Sequence, residues 1–139
     1  MFIDDAYAHL YSLCLQGMGV STPNPNVSAA IYGADQKLIA DGFHNRTNSV
    51  DHAEVIALKK AGAASRGATL VVSLEPCAHQ GTTPPCTQAI IDAGITKVIY
   101  AVADPNPLAA GGAQKLIDAG IVVEHRESAE LEFVQRALL

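Results

Sequence analysis

Apolar positions recur at helical spacing from Asp4 to Gly17, where Ala6, Leu10, Leu13 and Gly17 share one face and Gly17 with Gly19 supplies a stop. The stretch 21–26, STPNPN, is a turn, because its two prolines forbid helix and bias their predecessors to extended backbone. VSAAIY (27–32) and KLIADGFH (37–44) read as a strand pair around GADQ. HAEVIALKKAG (52–62) is helical, with Val55, Leu58 and Ala61 on one side and Gly62 as terminator. ATLVVSLE (68–75) and ITKVIYAVA (95–103) are short, almost wholly apolar and β-branched, as expected of strands buried on both faces. PPCTQAIIDAG (84–94) opens with proline and closes with glycine, the favoured asymmetry of a helix. GGAQKLIDAG and IVVEH repeat the helix-then-strand alternation, and Leu131, Val134 and Leu138 mark a closing amphipathic helix. The order predicts one α/β domain over 1–139, a three-layer α/β/α sandwich whose helices cover a central mixed sheet of about five strands.

Composition narrows the function. Hydrophobic residues make up 49% and charged residues 17% of 139, a globular balance. Nine Lys and Arg against 14 Asp and Glu leave a net charge of −5, which argues against a broad grip on nucleic acid. Aromatics are 5% with no Trp, so base-stacking platforms are scarce. MFIDDAYAHL lacks the basic start of a secretory signal, and no apolar run approaches the roughly 18 residues of a membrane span. A cytoplasmic protein with no membrane partner is expected. In that reducing compartment, paired cysteines point to metal or catalysis ahead of a disulfide.

Two of the three cysteines, Cys77 and Cys86, fall in SLEPCAHQGTTPPC (73–86), and a Cys77–Cys86 disulfide is the competing reading. The candidate partner is His52-Ala53-Glu54, at the start of the second helix. Thr83 can cap the third helix, Pro84 and Pro85 stiffen its entry, and Cys86 falls in its first turn, where the positive helix end favours a thiolate. Two thiolates and one imidazole are the ligands of a catalytic zinc that keeps its fourth position for water. His52, Cys77 and Cys86 are therefore candidate zinc ligands. Glu54, beside the metal without binding it, is the candidate catalytic proton carrier. HAE…PC follows the nucleobase-deaminase signature H-x-E…P-C-x-x-C, except that the second cysteine comes nine positions after the first. The third cysteine, Cys14, is a lone thiol on an apolar helix and reads as core packing. His9 and His125 lack any such context and read as surface residues.

TPNPNV, GFH, HAEVIALKKAG, EPCAHQGTTPPCTQAIIDAGITKVIYAVADPNP and AGIVV, in order from Thr22 to Val123, resemble the deaminase domain of bacterial riboflavin-biosynthesis deaminase/reductases. The resemblance implies a cytidine deaminase-like fold and hydrolytic deamination of 2,5-diamino-6-ribosylamino-4(3H)-pyrimidinone 5′-phosphate. Motif position then implies substrate contacts at Asn24, His44, His79, Asp104 and Asn106. It also implies a homo-oligomer, a dimer or tetramer; no reductase domain is expected within 1–139, and a separate reductase is a candidate partner.

The chain departs from the family pattern at several positions. Thr82 stands where Lys or Arg is usual before TPPC, and Gly112 where a basic residue often lies between the glycines after DPNP. Ser28 replaces a usual glycine and Asp51 a usual proline. Loss of two anion-binding charges suggests phosphate recognition that is weakened, or rebuilt around Arg46, Thr82 and Thr83. The alternative function is deamination of another aminated pyrimidine- or purine-like ring, unphosphorylated. A tRNA adenosine deaminase is disfavoured by the acidic balance and the cysteine spacing. A zinc-stabilised scaffold is disfavoured by Glu54, since a structural zinc needs no proton carrier.

Overall fold

The computed structural model describes residues 2–17, 27–43, 52–76, 86–103 and 111–137, with side chains as far as Phe133 in the last segment. Five strands, β1 (Ser28–Tyr32), β2 (Leu38–Phe43), β3 (Thr69–Leu74), β4 (Lys97–Val102) and β5 (Val122–His125), form one sheet in the order β2-β1-β3-β4-β5. β1 is antiparallel to β2 and β3, whereas β3, β4 and β5 run parallel, so the sheet is mixed. The turn between β1 and β2 is closed by Gly33 N–H donating to the Lys37 carbonyl at 3.0 Å, with Gln36 in the left-handed region at φ 64°.

Alternation along the strands divides the core in two. Ala29, Ile31, Leu70, Val72, Val98 and Tyr100 face α2 (Ala53–Ala61), α3 (Cys86–Ala93) and α4 (Gly112–Asp118). Ala30, Tyr32, Val71, Ile99 and Ala101 face α1 (Phe2–Gly17) and α5 (Ala129–Ala137). Both faces of the sheet are covered, which is why β3 and β4 are apolar at successive positions instead of alternate ones. Leu10, Leu70, Leu116 and Leu131 are almost wholly buried, each contributing about 1.5–3 kcal/mol relative to exposure. The three-layer sandwich and its five strands are as the hydrophobic pattern predicts. Among the described residues no helix is long and apolar enough to cross a membrane.

Two expectations change. The buried face of α2 is Ala53, Glu54, Ala57 and Leu58; Leu58 is buried as expected, but Val55 and Ala61 are only partly so. Small alanines let this helix lie close to β1 and β2, and that rotation carries Glu54 inward. His9 is not simply a surface residue: its Nε2 lies 2.7 Å from Asp41 Oδ2 of β2, tying α1 to the sheet edge. His125 is exposed, as expected, and its ring stacks on Tyr100, with centroids 4.6 Å apart and planes 8° from parallel. Leu131 is buried as expected of the closing helix, while the side chains of Val134 and Leu138 lie outside the described set.

Candidate metal centre

The ends of the strands place the candidate residues. β3 and β4 are parallel, and their carboxyl ends lie together, with Leu74 paired to Val102. β1 runs the other way, so its start meets that same end, where Ser28 N–H donates to Ser73 Oγ at 3.0 Å. Ser28 also pairs with Phe43, the last residue of β2. In α/β sheets ligands bind beyond the carboxyl ends of the parallel strands.

Two helices begin at this end. His52 is the N-cap of α2, in extended conformation (φ −72°, ψ 165°), and its carbonyl accepts the Ile56 N–H at 3.1 Å. Its imidazole makes no capping bond; instead Nδ1 lies 3.1 Å from Cys86 Sγ, although 34 residues separate the two. Cys86 is the first residue of α3 and is buried, so its sulfur sits at the positive end of a helix, where a thiolate is stabilised. Glu54, in the first turn of α2, is only 3% exposed. Carboxylates are rarely that buried.

Glycine makes the approach of α2 possible. A Cβ on Gly42 of β2 would stand 2.8 Å from Ile56 Cγ2 and 2.9 Å from the Ala53 carbonyl oxygen, so any side chain there would push the start of α2, and His52 with it, off the sheet. Hydrophobic pattern carries no mark of this contact; the signal is the lone glycine within a strand, the usual sign of a close approach.

The donor set suits zinc, which takes imidazole nitrogen and thiolate sulfur. Atoms bound tetrahedrally to one zinc at about 2.1 Å (N) and 2.3 Å (S) stand about 3.6 Å apart. The His52–Cys86 separation of 3.1 Å is shorter than that edge, so a small outward turn of either side chain would admit the ion. Cys77, the third predicted ligand, follows the described Pro76 and lies outside the described residues, as do Asn24, His44, His79, Asp104 and Asn106. The residues proposed for a rebuilt phosphate site, Arg46, Thr82 and Thr83, also lie outside them.

Geometry adds a packing role to one departure noted in the sequence. A Cβ at Gly112 would overlap the Pro76 carbonyl oxygen, so no side chain fits this position in this backbone. Gly112 is a packing glycine. Ser28, in place of the usual glycine, donates from Oγ to the Leu10 carbonyl at 2.8 Å and lies 3.2 Å from Cys14 Sγ.

Residues 4–102 match the family described as the cytidine and deoxycytidylate deaminase zinc-binding region. The chain is 48% identical over 114 residues to the riboflavin biosynthesis protein RibD of Synechocystis, covering 81% of this chain and 30% of that protein. Its structure is similar to RibD of Acinetobacter baumannii, with a TM-score of 0.87 and 43% identity over 99% of this chain and 39% of that one. It is also similar to the diaminohydroxyphosphoribosylaminopyrimidine deaminase/5-amino-6-(5-phosphoribosylamino)uracil reductase of Thermotoga maritima, with a TM-score of 0.84, 38% identity, and coverage of 99% of this chain and 39% of that one. The chain thus spans about a third of the length of the curated relatives it matches. The alternative reading, another aminated ring, gains nothing from these relatives.

Proposed function

The chain belongs to the cytidine and deoxycytidylate deaminase zinc-binding family, and from that premise we propose that it hydrolyses the amino group from 2,5-diamino-6-ribosylamino-4(3H)-pyrimidinone 5′-phosphate, a step of riboflavin biosynthesis. The observation that carries this reading is the meeting of His52 Nδ1 and Cys86 Sγ at 3.1 Å, with Glu54 buried in the first turn of the helix that His52 caps.

His52 and Cys86, with Cys77, would hold the zinc, which when bound lowers the pKa of water towards about 7. Glu54 accepts the proton of the attacking water and passes it to a ring nitrogen, then to the departing amine. The ring gains a carbonyl oxygen and releases ammonia, so the atoms of one water are accounted for. Burial of Glu54 keeps bulk water from competing for that proton. Asn24, His44, His79, Asp104 and Asn106 would contact the substrate, and the domain would act alongside a reductase.

Ammonia release from this ribotide, with and without a strong chelator, tests the reading. Turnover is expected with zinc present and should vanish on its removal. Activity in zinc-free protein would refute it. Running the dephosphorylated substrate in parallel reports whether the phosphate is used.

A further inference from the structure

Three elements converge on Glu75 and Pro76, the two residues before Cys77. The Glu75 N–H donates to the Val102 carbonyl at 2.8 Å, extending the β3–β4 pairing one step past the strand. The Glu75 carboxylate reaches the first turn of α4, where Oε2 accepts the Ala113 N–H at 3.1 Å. Beside it Gly112 lies against the Pro76 carbonyl, at a distance that no side chain could share. The Thr87 methyl closes the same point, 3.5 Å from where a Gly112 Cβ would stand, and Thr87 directly follows Cys86. Burial and the nearby Glu75 carboxylate both raise the Tyr100 hydroxyl pKa, which places that charge against the β4 side of the junction.

Glu75 therefore grips the end of β4 through its backbone and the start of α4 through its side chain, the two described ends that flank residues 104–110. We propose that Glu75 is a positioning residue for the metal centre. By holding Ala113, its carboxylate keeps Gly112 seated on Pro76 and fixes the direction in which the chain leaves Pro76 relative to Cys86. The inference rests on the zinc reading above. It assigns Glu75 no contact with zinc or substrate.

The test is the rate at which zinc-loaded protein gives up its metal to excess chelator, read beside a thermal melt. Glu75→Ala is expected to release zinc about tenfold to a hundredfold faster than the parent, the range for groups that orient metal ligands. Glu75→Gln keeps an oxygen acceptor and should stay near the parent rate. Ala113→Pro removes only the donor, in a first helical turn where proline is tolerated and after a glycine that has no Cβ to clash, and should reproduce Glu75→Ala. This variant carries the test if Glu75→Ala fails to fold. Leu116→Ala, a core truncation on the same helix, should lower the melting temperature without accelerating release.

Parent-like release from Glu75→Ala or Ala113→Pro overturns the proposal, as does equal acceleration by Leu116→Ala. A parent protein that binds no zinc refutes the metal reading itself, a result distinct from unaltered release in the variants.

Discussion

Cys86 and Cys14 are equally buried, 1% and 0% exposed, yet the sheet assigns them to opposite faces and to different chemistry. Cys14 sits within α1, packed among Ala6, Leu10 and Leu13, with its sulfur 3.2 Å from Ser28 Oγ. Burial pushes its thiol above the ordinary 9.0, against the smaller opposing effect of hydrogen bonds with Ser28 and Ser73. Cys86 opens α3 and faces an imidazole brought from a different helix. Burial alone does not make a sulfur a ligand. Position at a helix start, over the carboxyl ends of parallel strands and opposite a second donor, is what makes Cys86 the proposed ligand. The layers differ accordingly: α1 and α5 hold an inert thiol in a packed core, while α2 and α3 turn polar side chains toward one point.

The largest expected effect separates the proton carrier from the seat. Glu54→Gln should lower ammonia release about a hundredfold to ten-thousandfold while zinc content and melting temperature stay near the parent; undiminished turnover would remove Glu54 from the mechanism. Next, the two cysteines should part company on metal analysis. Cys86→Ser should lose most of its zinc, whereas Cys14→Ala should keep it and give up about 1–2 kcal/mol of stability through the small cavity left behind. Equal zinc loss in both variants would erase the contrast between the two faces.

The smallest effect is a pH dependence. The folded chain favours the protonated Cys14 thiol, so this group's contribution to stability is whole below the unfolded pKa near 9.0 and is lost as pH rises through the higher folded value. Melting temperatures from pH 7 to pH 10 should therefore fall more steeply above about pH 9 in the parent than in Cys14→Ala. Parallel curves would mean that Cys14 does not titrate differently in the two states.

Much of this was legible along the chain, and the residues show why. Strands buried on both faces announce themselves as the unbroken apolar runs 69–74 and 97–102. Pro84-Pro85-Cys86 marks a helix start because proline fits only there, and the observed helix begins at Cys86. His52 and Cys86 could be named as partners because imidazole and thiolate have few reasons to share a motif. The rotation of α2 was not legible, since Val55 and Ala61 are as apolar as Ala53 and Ala57; close approach to Gly42 selected the small-residue face. Nor was the packing of Gly112, a backbone contact with Pro76 that no local pattern announces.

Local chemistry, then, determined which segments form strands and helices and which side chains can bind a metal, because period, β-branching, proline and donor type act over a few neighbouring residues. Tertiary structure alone decided that His52 and Cys86 stand 3.1 Å apart, that His9 meets Asp41, and that Glu75 reaches α4. Those contacts join residues more than 30 positions apart, and their distances follow from how closely glycines and alanines let the layers pack, which no short window of sequence contains.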